Sequence, residues 1–181
     1  KRATDWLLEK ECKHVGDWLA NVSPAHQKKD WSKGCGWYFE FHNAWYPDCD
    51  DTAMVVMALK RATGPKNVEA AKRGIDWLFA MQNDDGGWAA FDKTTHRQIL
   101  EYIPFADHNA MQDPSCPDIA GRVLECLGHC GLSTTHPAVK RAIRYIRDEQ
   151  DACGAWWGRW GVNYVYGTWQ ILTGLRAVGE D

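Results

Sequence analysis

Apolar positions recur along the chain at three- and four-residue spacing, in blocks separated by glycine, proline and polar clusters. Asp51 to Ala62 is apolar at Ala53, Val56, Met57 and Leu59, and Thr63-Gly64-Pro65 stops it. Val68 to Met81 follows, with Lys and Arg on its outer side. Pro117 to Cys130 opens with proline near the first turn and closes at Gly131. Pro137 to Gln150 starts the same way, and Gly167 to Val178 ends before Gly179. No period-two run bounded by hairpin turns appears, so a sheet is not expected. The stretch from Asp92 to Cys116 reads as a long polar connection, and such loops inside helical proteins are usually functional.

Two of these helices belong to a repeat. Arg73-Gly74-Ile75-Asp76-Trp77-Leu78, then Gln82, Gly86 and Trp88, is echoed at the same offsets. The echo is Arg141-Ala142-Ile143-Arg144-Tyr145-Ile146, then Gln150, Gly154 and Trp156. Gly34-Cys35-Gly36-Trp37 is a partial third copy. Repetition at this length points to helix pairs that bury their faces on neighbouring units, an all-α, α/α repeat toroid. Because toroids need closure or capped ends, the chain is expected to be part of a longer one.

Composition narrows the function. The 181 residues carry a net charge of −3, which leaves no basic footprint for nucleic acid. No apolar stretch is long enough to span a bilayer, and no signal peptide is visible. Seven cysteines, at 12, 35, 49, 116, 126, 130 and 153, form no CxxC pair and fit free, mostly buried thiols in a reducing compartment. The seven histidines form no cluster of ligand spacing, so no metal is expected. Eleven tryptophans are more than core packing needs; either the repeat supplies them or a site uses their faces.

The candidate chemistry is Asp48-Cys49-Asp50-Asp51-Thr52-Ala53, which opens the apolar run from Met54 to Leu59. Carboxylates this close repel, so at least one is pushed toward its protonated form. A neutral carboxylic acid at the mouth of an apolar helix, among many aromatic rings, points to proton delivery into a dry cavity. The plain alternative is that the run only caps the helix.

Together, the Gln-then-Gly-x-Trp repeat and the Asp-x-Asp-Asp motif resemble the squalene–hopene cyclases, the bacterial class II triterpene cyclases. Gly36-Trp37-Tyr38-Phe39-Glu40-Phe41, Tyr46-Pro47, Ile103-Pro104-Phe105 and Gly158-Arg159-Trp160-Gly161-Val162-Asn163-Tyr164-Val165-Tyr166-Gly167-Thr168 extend the resemblance over essentially the whole chain. Family members are several times longer. The resemblance implies protonation of a terminal alkene of squalene and a carbocation cascade to hopene or hopanol, with no cofactor. It implies Asp50 as the proton donor, with Asp48 and Asp51 positioning and polarising it. It also implies that Asp118 and Arg122 assist. Some members carry His at the position of Arg122; a guanidinium there would strengthen the acid without relaying a proton. The alternative for Asp118 and Arg122 is a surface ion pair one turn apart.

Phe39, Phe91, Trp160 and Tyr166 match cavity-wall positions, where ring faces stabilise a desolvated cation by ~2 kcal/mol or more each without quenching it; ordinary core packing is the alternative. The residues of the repeat itself (Trp77, Gln82, Trp88, Tyr145, Gln150, Trp156) are assigned to structure, with Gln capping a neighbouring helix and Trp stacking nearby. The implied setting is a bacterial enzyme peripheral or monotopic at the cytoplasmic face of the membrane; a homodimer is compatible with it. Competing functions are a class II diterpene or other prenyl cyclase, an α/α-barrel glycoside hydrolase or lyase, and a non-catalytic helical toroid. The 181 residues alone are expected to turn nothing over.

Overall fold

Proline and glycine set the helix boundaries in the computed structural model, which describes residues 1–40, 42–93, 97–103, 111–161 and 163–180. Among these residues the helices are α1 (Arg2–Glu9), α2 (Pro24–Gln27), α3 (Cys49–Arg61), α4 (Pro65–Met81), α5 (Pro117–His129), α6 (Pro137–Asp148) and α7 (Tyr164–Val178). Helix α4 starts at Pro65 rather than Val68, because proline fits the first turn, where its missing N–H costs no hydrogen bond. The start of α3 is likewise earlier than Asp51, since Asp48 is its N-cap. Helix α1 carries no interior periodicity long enough to have been read. Of the Asp92–Cys116 connection, Gln98–Tyr102 forms a 3₁₀ turn.

One expectation is corrected. Trp37–Tyr38 (β1) pairs antiparallel with Pro47–Asp48 (β2), so a two-stranded ladder does exist. Strands this short leave no alternation to detect. The ladder nevertheless matters, because it joins Trp37 to Asp48 directly.

Helices α3, α5 and α7 lie side by side, and α4 and α6 back them, α4 on α3 and α6 on α5 and α7. Small residues set how close the helices come. A Cβ at Gly121 would lie 2.8 Å from the backbone of Gln170, and one at Gly128 would lie 2.4 Å from that of Ala177. Both α5 glycines meet α7 at the same sequence offset, so the two helices run parallel. Beneath the layers, Trp18 packs edge-on against Trp31 and Trp77, with centroids 5.5 and 6.0 Å apart. Five of the seven cysteines are buried and all are free, as expected.

The two full copies share a pair of hydrogen bonds. Trp88 Nε1 donates to Leu78 O and Trp156 Nε1 to Ile146 O, each at 2.7 Å. Both carbonyls lie in the last turn of their helix, where no intrahelical donor remains. Gln82 Nε2 donates to Gly86 O at 2.9 Å and Gln150 Nε2 to Gly154 O at 2.8 Å, closing the turn between them. Gly86 and Gly154 take φ of 98° and 84°, a left-handed conformation that glycine adopts at little cost. Tryptophan thus caps its own helix, a role not expected of it, and glutamine closes the turn. Gln82 also bonds Ala138 O and Arg141 of the next unit.

The partial third copy is structurally fuller than its sequence. Trp37 Nε1 donates to Leu7 O, in the last turn of α1, at 2.7 Å. Glu11 stands where the other copies have Gln, and Arg73 grips it through two bonds of 2.7 and 2.6 Å, as Arg141 reaches Gln82. A long insertion between Glu11 and Gly34 hides this from the sequence.

Candidate active site

The ladder and the helix starts bring the acid motif, the start of α5 and the start of α7 to one end of the layer. Cys49 N donates to Ala90 O at 2.7 Å and Cys116 N to Trp88 O at 3.0 Å, so the segment after the first Gly-x-Trp turn lies between α3 and α5. Asp113 pins that segment by accepting from the N–H groups of Ala90, Phe91 and Asp92 at 3.2, 2.5 and 3.1 Å. Thr52 Oγ1 accepts from Trp37 N at 2.9 Å, which fixes β1 against α3.

The carboxylates then take separate roles. Asp48 is buried and caps α3, its Oδ1 accepting from Asp51 N at 2.8 Å. Burial nonetheless dominates that bond, and its carboxyl is pushed up to about 8. Capping thus describes Asp48, whereas Asp50 and Asp51 are not used as caps. Asp50 accepts from Arg122 Nε at 2.9 Å. Burial raises its pKa, the Arg122 guanidinium pulls it down, and the nearby Asp118 and Glu125 push it up again. The net direction is upward because burial outweighs the guanidinium; Arg122 itself acts toward the stronger acid, as expected. Asp51 is also raised, by burial first and then by Asp50.

Asp118 and Arg122 do not form a surface pair. Their residues are 1% and 8% exposed. Asp118 Oδ2 accepts from Trp160 N at 2.9 Å, so it holds the loop that carries this ring. Arg122 turns the other way, to Asp50 and, through Nη1, to Glu125 Oε2 at 3.1 Å. Its own pKa is raised: burial disfavours the charge, but Asp50 and then Glu125 outweigh it.

Three of the four expected wall rings gather nearby. Phe91 and Trp160 meet edge-on at 6.2 Å. Tyr166 meets Trp169 at 5.9 Å and its OH accepts from Gln170 Nε2 at 3.2 Å. Phe39 is 73% exposed in the turn after β1 and pairs with no ring among the described residues. Phe41, Pro104, Phe105 and Val162, quoted for the resemblance, lie outside the described residues. The sequence reading missed Glu125, Asp113 and Trp169; Glu125 three residues after Arg122 was the available signal for the first. Phe91 and Trp160 also line an open cleft of about 960 Å³ with Asp92 and Asp113. Chemically, the arrangement is a protonatable, half-buried carboxyl beside a fixed cation, flanked by aromatic rings.

The sequence model for the squalene-hopene cyclase C-terminal domain matches residues 1–181. The chain is 42% identical over 179 residues to a squalene-hopene cyclase of Schizosaccharomyces japonicus, covering 98% of this chain and 26% of that protein. It is 41% identical over 180 residues to a squalene–hopene cyclase of Zymomonas mobilis, covering 96% and 26%. Sporulenol synthase of Bacillus subtilis is 40% identical over 182 residues, covering 99% and 27%. The chain therefore spans about a quarter of the length of these relatives, which come from fungi as well as bacteria. No helix among the described residues is long and apolar enough to cross a membrane. A family match along its whole length, on an all-α pair of helical layers, shows that the chain belongs to the squalene-hopene cyclase family, whose fold is an α/α toroid.

Proposed function

We propose that the protein carrying these residues cyclises squalene to hopene or hopanol, with Asp50 delivering the initiating proton. The observation that carries this reading is the Asp50 carboxyl, raised by burial yet bonded to Arg122 at 2.9 Å. An alkene is a very weak base, so its protonation needs an acid that holds its proton at rest and whose conjugate base is stabilised as it forms. Asp50 loses the proton to a terminal alkene carbon, the π pair becomes the new C–H bond, and the cation is left on the adjacent carbon. Asp48 and Asp51 hold the first turn and keep ionisation of the cluster costly. Phe91, Trp160 and Tyr166, with Phe39, offer ring faces to the cations that follow.

The region from 1 to 181 acts in this reading as a partial catalytic domain that turns over nothing alone. Squalene partitions into bilayers, which favours a membrane-associated whole protein, placed at the cytoplasmic face by the resemblance alone; a homodimer is compatible with this. Membership of the family sets the carbohydrate-active alternative aside. A second prenyl-cyclase product stays in play on one observation: the relative named for sporulenol is 40% identical, close to those named for hopene.

The test is squalene turnover by the whole protein beside Asp50→Asn, with products read by gas chromatography–mass spectrometry. A pentacyclic C30 product, reduced about 10³-fold or more in the variant, is the expected result. A folded protein that leaves squalene and shorter polyenes untouched overturns the reading.

A further inference from the structure

Arg122 serves two carboxylates. Its Nε donates to Asp50 Oδ1 at 2.9 Å and its Nη1 to Glu125 Oε2 at 3.1 Å. Its side chain is 10% exposed and that of Glu125 16%, against 34% for Asp50. Its Cζ lies 5.6 Å from the ring centroid of Trp169 on α7. A guanidinium does not shed its charge, and buried without an anion it would cost several kcal/mol. One of the two carboxylates must therefore stay ionised.

The cyclase reading requires that it not be Asp50, which has to be protonated and neutral before each turnover. Were Asp50 the sole anion available to Arg122, the guanidinium would hold it ionised and the acid would be spent at rest.

We propose that Glu125 is the standing counter-ion of Arg122, a positioning residue that satisfies the guanidinium while Asp50 carries its proton. The inference rests on the cyclase reading above. Glu125 lies deeper than Asp50 and has no reaction to perform. The Arg122 Nε–H stays aimed at Asp50 and stabilises the carboxylate only once the proton has left, which is the differential stabilisation catalysis needs. The other charged groups facing this pair act in the same sense. Asp118 from α5 and Glu125 itself disfavour an ionised Asp50, and an ionised Asp50 in turn raises Asp48 and Asp51 of the motif. Tyr166 of α7 faces Arg122, and His129 Nε2 stands 4.0 Å from Glu125 Oε1 at the exposed end.

Two measurements on the whole protein test this: the pH dependence of polyene turnover, and an infrared titration of the Asp50 carboxyl band, assigned by its loss in Asp50→Asn. In Glu125→Gln, Arg122 has Asp50 as its remaining anion. The alkaline limb of kcat and the carboxyl titration should both move toward acid by about one pH unit or more, with KM unchanged. Glu125→Asp should restore the wild-type limb, and Arg122→Gln/Glu125→Gln should return the titration to the wild-type pH or above. A merely structural Glu125 would lower stability or overall rate and leave both titrations in place, which overturns the inference. If Glu125→Gln does not fold, the double variant decides: titration below the wild-type pH overturns the proposal, and titration at or above it supports it. An active wild type with unmoved titrations sinks this inference alone. A wild type that turns over no polyene sinks the cyclase reading, while the infrared band still reports whether Glu125 holds Arg122.

Discussion

At a helix N-terminus the exposed N–H groups ordinarily favour the charged form of a carboxylate, and Asp48 accepts such a bond from Asp51. Burial wins at this residue and sets its carboxyl at about 8. Because the folded value lies above the unfolded value of about 4, the folded state binds the extra proton. The resulting stability is present in full below about pH 4 and is lost as pH rises toward 8, by a few kcal/mol in order of magnitude. Urea midpoints of the whole protein should fall across that window. Asp48→Asn should flatten the slope in part, since Asp50 and Asp51 titrate in the same sense; an unchanged slope would refute the assignment. The acid motif was legible because it is local in sequence. The bond from Arg122 to Asp50 was not, because it joins two helices, and the Arg122–Glu125 spacing reads equally well as a solvated pair.

Helices and turns were legible to the extent that each carries its own signal. Periodicity and the Pro and Gly boundaries located α3 to α7; α3 and α4 start earlier because a capping Asp and an N1 proline lay outside the apolar pattern, and α7 starts at Tyr164 rather than Gly167. The repeat disclosed its Gln, Gly and Trp positions but not which group bonds which, since a spacing carries no direction. Trp88→Phe keeps the ring and removes the cap on Leu78 O. Urea denaturation should show a loss of about 1–3 kcal/mol, and Trp156→Phe a similar one at Ile146 O. A loss no larger than that of a surface tryptophan substitution would return these rings to plain packing.

On the scale of the whole molecule, contacts through Gly121, Gly128 and Gly174 lock α5 against α7, while one face of α7 is left apolar and open. Val165, Trp169 and Leu172 are 87%, 52% and 55% exposed, spaced along that helix, and Met54 of α3 is 46% exposed. The sequence offered no sign of this open face, because periodicity reports a face and not what covers it. The chain thereby carries two optical populations of indole. Trp18, Trp31, Trp37, Trp77, Trp88 and Trp156 are sealed in the core, whereas Trp6, Trp45, Trp157, Trp160 and Trp169 are open to water. Acrylamide should quench the second set alone, and a polyene reaching the acid end should shield Trp160 and Trp169 while leaving the sealed emission unchanged. The protein's own fluorescence can then separate occupancy from unfolding without a label.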